Sequence, residues 1–245
     1  MVTETLPSLP RITLRDQTGY RLINSKYPPV SLFDDVADEH EFNALHALQA
    51  LTNPRLLDQD AILNGLKKGE IPFGIAGCSY AVAPFTHVNP DGSRFSDGSF
   101  GVLYVADTVE TALAEVAYHQ EHYWRRVPGL KFERLVLRGL QVNFSTDYAR
   151  DATVLPVDHA VYDPCHYHVS QALGAALKNA ECAALRYHSV RRRGAVCWGL
   201  FTPAGVTGVR QCAHYEMMWD GQAITSIGKI TLTKPAPRPR NGRLG

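Results

Sequence analysis

Apolar positions recur along this chain at two periods, one helical and one extended, and together they divide it into elements without an evident linker. In the stretch 38–51, Phe42, Leu45, Leu48 and Leu51 fall at helical spacing, Asp38 and Glu41 form a capping box, and Pro54 is the stop. Val109, Leu113, Val116 and Trp124 share one stripe, which predicts a helix from 108 to about 126 with Asp107 as N-cap and Glu110 three residues on. A third helix is expected to start at Asp163 and Pro164, with proline at the first helical position, and to run to about Ala180. Apolar, β-branched and aromatic runs predict strands over 80–83, 102–106, 132–137, 183–187, 196–201, 215–219 and 223–226, with a further one over 228–232. Asp220-Gly221 joins two of these as a hairpin. Residues 53–79 carry no period and read as a long irregular loop of the kind that often covers a site.

Strands dominate the second half, and helices interrupt them without regular βαβ alternation, so the fold class is α+β. We expect one domain over 13–233, a loose N-terminal tail over 1–12 and a disordered C-terminal tail over 234–245, where KPAPRPRNGRLG has almost nothing to bury. The three arginines of that tail (Arg238, Arg240, Arg243) read as solvated rather than as a nucleic-acid arm. A net charge of +1 gives no whole-chain argument for direct nucleic-acid or membrane binding. No run is long and apolar enough to span a bilayer, and the first ten residues lack the pattern of a signal peptide. Five widely spaced cysteines without a C-x-x-C pair read as reduced, buried thiols of a cytoplasmic protein.

The chemistry concentrates between Gly92 and Glu115, GSRFSDGSFGVLYVADTVETALAE: a glycine-rich loop, a strand and a helix that carry Arg94, Tyr104 and Glu115. An arginine fork, a rigid aromatic face and a carboxylate suit a phosphorylated aromatic ligand. Each residue also has a plain structural reading. Glu115 and His119 at i,i+4 can be a solvated pair, which spacing alone favours. Arg94 can be incidental to a loop in which Gly92, Gly98 and Gly101 permit close approach to a ligand, a loop that matches neither a P-loop nor a dinucleotide fingerprint. Arg21 can reach a diphosphate or bond carbonyls. Ser189, in RYHSVRRRG, lacks a nucleophile elbow and reads as a ligand hydrogen-bond donor or a turn residue, and the arginines after it read as a solvated run. Cys165-His166-Tyr167-His168 does not make a metal site, because i and i+2 side chains diverge and no second cluster completes a ligand set.

In order, YRLINSKYPPVSLFDDVAD, ALTNPRL, APFTH, the Gly92–Glu115 stretch, SQALGAAL, LRYHSVRRRGAVCWGLFTP and YEMMWDG resemble the RES-domain family, toxins of bacterial toxin–antitoxin systems. The likeness extends from Tyr20 to about Ile227 and is nearer to the longer branch, which includes mono-ADP-ribosyltransferases. It implies a core like that of ADP-ribosylating toxins, two bent sheets with helices around them and a cleft for NAD. It maps the family's Arg, Glu and Ser onto Arg21, Glu115 and Ser189, its strand tyrosine onto Tyr104 and its loop arginine onto Arg94. The implied catalytic set is Glu115, Arg21, Tyr104 and Ser189, and the implied NAD-binding set is Arg21, Arg94, Tyr104 and Ser189, without a metal.

The implied activity is cleavage of the nicotinamide–ribose bond of NAD, with water, phosphate or a protein side chain as the acceptor. Glu115 would stabilise the oxocarbenium-like sugar, the arginines would neutralise the diphosphate, Tyr104 would pack on the nicotinamide or its ribose, and Ser189 would donate to the nicotinamide end or a phosphate. Transfer of ADP-ribose to a cellular protein is the close alternative, and a non-catalytic nucleotide-binding module is another. An RNA-cleaving toxin would want a basic groove, which the near-neutral charge disfavours. The implied partner is an Xre-type helix-turn-helix antitoxin, through which any link to DNA would run.

Overall fold

A computed structural model describes residues 8–26, 38, 41 and 66–231. Its strands are β1 (Arg11–Asn24), β2 (Leu103–Ala106), β3 (Glu133–Asp151), β4 (Ala184–His188), β5 (Val196–Leu200), β6 (Val206–Trp219) and β7 (Ile224–Ile230). Its helices are α1 (Cys78–Thr86), α2 (Val109–Trp124) and α3 (His168–Asn179).

All seven strands belong to one hydrogen-bonded sheet, ordered β1-β2-β5-β4-β3-β6-β7, and β1 also pairs with β3. That extra pairing bends the sheet back on itself. β3 lies antiparallel to β1 along one edge. Its other edge serves β6 from Glu133 to Phe144, then β4 from Ala149 to Asp151. The α+β class holds, with all strands in one sheet that the β1–β3 pairing links across. The ring closes at a single register position between β1 and β2, Tyr20 opposite Ala106, and this sparse seam is where the cleft opens.

Alternation along the strands sends side chains to two cores. On β2, Leu103 and Val105 face a cluster that contains Ala81, Val82 and Phe85 of α1. Tyr104 and Ala106 face the other cluster, with Ala112 of α2 and Leu173 of α3. Trp219, Phe95, Phe144 and Phe201 are the largest fully buried side chains. Each contributes roughly 1.5–3 kcal/mol by leaving water, before conformational entropy is set against it.

Several elements differ from their expected form. Residues 80–83, expected as a strand, lie inside α1. Its buried apolar residues, Cys78, Ala81, Val82 and Phe85, have a helical i, i+3, i+4, i+7 spacing, with Ser79 buried beside them, and Pro84 sits in its last turn. β1 begins at Arg11, within the stretch expected as a tail. β3 runs fourteen residues beyond Leu137, because Leu140, Val142 and Phe144 continue a period of two through a polar sequence. The N-cap of α2 is Thr108, which accepts the Thr111 amide. Asp107 instead takes the Thr111 hydroxyl at 2.6 Å and the Val196 amide at 2.9 Å, tying the helix start to β5. α3 starts at His168, since Asp163 Oδ1 accepts the amides of Cys165 and His166 in a turn that does not propagate. The strands expected at 223–226 and 228–232 are one strand, β7, joined to β6 across Asp220-Gly221.

The predicted helix over 38–51 and the C-terminal tail over 234–245 lie outside the described residues, save Asp38 and Glu41. There the Glu41 amide donates to Asp38 Oδ1 at 2.9 Å, one half of the expected capping box. Cys78, Cys182 and Cys197 are buried and outside any disulfide, whereas Cys165 and Cys212 are exposed rather than buried. No described helix is long and apolar enough to cross a membrane.

Candidate active site

At the seam between β1 and β2 lies a cleft of ≈ 480 Å³, within the ordinary range of ligand pockets. β1 contributes Tyr20 and Arg21, the glycine-rich loop Ser93 and Arg94, β2 Tyr104, and α2 Glu115 and His119. Four of the five sequence-identified residues thus meet on one cavity. Ser189 does not line it, but its Oγ donates to Glu115 Oε1 at 2.6 Å.

The carboxylate is held from behind. Ser189 Oγ accepts the amides of Arg191 and Arg192 at 3.2 and 3.1 Å, so the loop after β4 polarises the hydroxyl that grips Glu115. Two arginines of that loop, Arg191 and Arg192, are anchored, while Arg193 is exposed. Arg191 donates to the Pro164 carbonyl at 2.6 Å and lies over the Tyr118 ring, while Arg192 donates to Thr108 Oγ1 at 2.7 Å at the start of α2. Glu115 Oε2 has no hydrogen bond among the described residues.

The positive side of the cleft is Arg21 and Arg94. Arg21 donates to the Tyr104 carbonyl at 3.4 Å, and desolvation brings its pKa down to about 10, so it stays charged at neutral pH. Arg94 donates to the carbonyls of Val161 and Asp163 at 3.3 and 3.0 Å and lies 4.5 Å from the centroid of the Tyr167 ring. Neither arginine forms an ion pair with a carboxylate among the described residues. Two charged, largely buried guanidinium groups without counter-ions on one cavity fit an anionic ligand.

Tyr104 spends its hydroxyl on the protein. The oxygen bonds Ser93 Oγ at 2.8 Å and accepts the Phe95 amide at 2.9 Å, which fastens the loop to β2. Burial pushes its pKa up to about 12. The loop glycines also serve the chain itself. Gly92 and Gly98 hold φ of 78° and 101°, and a Cβ on Gly101 would strike the Pro84 carbonyl of α1. Of the three, Gly92 alone lines the cleft.

A model described as the RES domain matches residues 71–220. The chain belongs to the RES-domain family. A Sinorhizobium fredii (strain NBRC 101917 / NGR234) protein called "Uncharacterized protein y4oC" is 27% identical over 216 residues, 88% of each chain. Among solved structures, the M. tuberculosis MbcT-MbcA toxin-antitoxin complex aligns over 82% of this chain and 87% of that one, with a TM-score of 0.41 and 10% identity.

The matched RES-domain span holds Arg94, Tyr104, Glu115 and Ser189, while Arg21 precedes it and reaches the same cleft on β1. Other cleft residues, among them His119, Tyr167 and Tyr187, were outside the expected site. His119 follows Glu115 by one helical turn, a spacing visible in the sequence. Tyr167 comes from the Cys165–His168 stretch, and its ring covers Arg94. Tyr187 packs edge-on against Phe95 at 4.8 Å, and no short motif marks it. Among the described residues, no three His, Cys, Asp or Glu side chains gather as a metal site would need.

Proposed function

We propose that this RES domain binds NAD in the cleft and breaks its nicotinamide–ribose bond, as the toxin of a bacterial type II toxin–antitoxin pair. The observation that carries the reading is the pairing of positive charge at Arg21 and Arg94, without counter-ions among the described residues, with a fixed carboxylate at Glu115 on one cavity. NAD has the complementary parts: a diphosphate for the guanidinium groups and a cationic nicotinamide–ribose linkage near the carboxylate.

The leaving nicotinamide is already a cation, so its departure needs no general acid. Charge builds instead on the ribose C1′, and a carboxylate held by Ser189 is preorganised to stabilise it. Arg21 and Arg94 neutralise the diphosphate. Tyr104 presents its ring, since its hydroxyl is committed to the loop. Ser189 acts through Glu115, because its donated hydrogen bond goes to the carboxylate.

We take the catalytic unit to be a single domain over 13–233 that works in the cytoplasm. Its activity is held in check by an Xre-type helix-turn-helix antitoxin, and NAD is its substrate without a metal. Mono-ADP-ribosylation of a cellular protein shares the first half of this reaction and is the second reading, favoured by the likeness to the longer RES branch. Nicotinamide release from NAD by the purified protein, with and without orthophosphate and cell lysate, tests both. Release without lysate supports NAD consumption. Release only with lysate, with ADP-ribose retained on a protein, supports transfer. NAD binding with no release under any condition points to a non-catalytic nucleotide-binding module.

A further inference from the structure

We infer that His119 is the base that takes the acceptor's proton, and that the acceptor is therefore a neutral O–H group, water or a hydroxyl. The inference rests on the NAD reading above and names the class of its second substrate.

His119 stands one helical turn from Glu115 on α2, so the two side chains share a face, and both line the cleft. Neither of its ring nitrogens has a hydrogen-bond partner among the described residues, and its aromatic contact is edge-on to Tyr118 at 5.4 Å. The imidazole is thus a cleft wall with both polar atoms available to a ligand.

Among the other titratable groups there, Glu115, Tyr104, Tyr187 and Cys197 are engaged or keep their protons. Glu115 accepts the Ser189 proton at Oε1 and faces the developing cation, a role that needs it ionised throughout. Tyr104 holds its proton up to about pH 12 with its oxygen engaged twice. Burial pushes the Tyr187 phenol and the Cys197 thiol upward, so both are protonated at neutral pH.

Desolvation, more than the charges around it, keeps His119 in the basic form. Burial against the cleft wall holds its pKa below the usual 6.5; Arg191 of the loop after β4, Arg94 of the glycine-rich loop and His122 of α2 act the same way, and Glu115 opposes them. At neutral pH the imidazole is uncharged and can accept a proton.

The C1′–N bond of NAD breaks with its electron pair going to the pyridine nitrogen, and nicotinamide leaves neutral. The acceptor oxygen forms the new C1′–O bond, and its proton passes to His119 and from there to solvent. An anionic acceptor such as orthophosphate would need no such base.

The test is nicotinamide release at saturating NAD by the parent and by His119→Gln, across pH, with azide as an acceptor that needs no deprotonation. Circular dichroism checks that the variant folds. We expect kcat to fall about tenfold or more with KM for NAD little changed, the acid limb of the pH profile to vanish, and azide to restore release in the variant. Release by the parent in buffer alone identifies water; release that needs lysate, and is lost in the variant, identifies a hydroxyl. An unchanged rate and pH profile, a loss that azide does not relieve, or a parent that requires orthophosphate overturns the inference while leaving NAD cleavage intact. A parent that releases no nicotinamide with any acceptor overturns the NAD reading and this inference with it.

Discussion

The Ser189 hydroxyl donates to Glu115 Oε1 at 2.6 Å across a sequence separation of 74 residues. Ser189 is itself buried, and two loop amides point at its oxygen. The carboxylate at the cleft therefore owes its position to a strand–loop element remote in sequence. Ser189→Ala removes the grip and leaves the amides of Arg191 and Arg192 without that acceptor. We predict a drop in kcat of about tenfold or more with KM for NAD nearly constant, and a loss of about 1–3 kcal/mol in stability. Steady-state kinetics beside urea denaturation checks both; a variant that loses stability but keeps its kcat would sink the positioning role.

Arg21 is a desolvated charge with no carboxylate partner among the described residues, which costs stability unless an anion is bound. Arg21→Met should raise the stability of the free protein by about 1 kcal/mol while weakening NAD binding about tenfold or more. Thermal melts with and without NAD separate the effects: the parent should gain stability from NAD and the variant should not. Equal NAD-induced shifts in both would remove Arg21 from the binding site.

Tyr104→Phe keeps the ring and deletes the oxygen that Ser93 and Phe95 share. We expect a cost of about 1–3 kcal/mol, with the loss of activity following from a loosened loop and a displaced Arg94. Hydrogen exchange at the Phe95 amide is the direct readout, and unaltered protection there would contradict the assignment.

The same phenol gives a pH signature. Its pKa is raised from 10.0 to about 12 in the folded chain, so folding favours the protonated form. Its stabilising contribution is complete below pH 10.0 and is lost as pH climbs toward about 12. Arg21, lowered from 12.5 to about 10, works in the opposite sense over the same alkaline range. Tyr104→Phe should therefore lose stability less steeply than the parent above pH 10.0, as followed by guanidinium denaturation; parallel curves would show that this phenol does not contribute.

The residues that meet at the cleft were easier to find in the sequence than the directions of their side chains. Arg21, Arg94, Tyr104 and Glu115 converge on the cleft because β1, β2, α2 and the loop between α1 and β2 meet at the β1–β2 seam. Side-chain direction was not legible. Ser189 points at Glu115, the Tyr104 hydroxyl at its own loop, and one Arg94 nitrogen at two carbonyls, all set by long-range contacts. Among the elements, short apolar runs bounded by turns announced β2, β4 and β5. α1 was missed although its buried positions have helical spacing, because nine mostly apolar residues with a proline near the end resemble a buried strand equally well. β1 and most of β3 were missed because their polar alternation gains meaning only when each has the other as partner.

The central claim is that Glu115 supports cleavage of NAD, and the direct measurement is nicotinamide release by the parent beside Glu115→Gln. The amide keeps the shape and can still accept from Ser189, so the fold and NAD binding should survive. We predict steady release by the parent and a loss of about a hundredfold or more in the variant, since only the charge that stabilises the transition state is removed. Equal release by the two proteins would contradict the account.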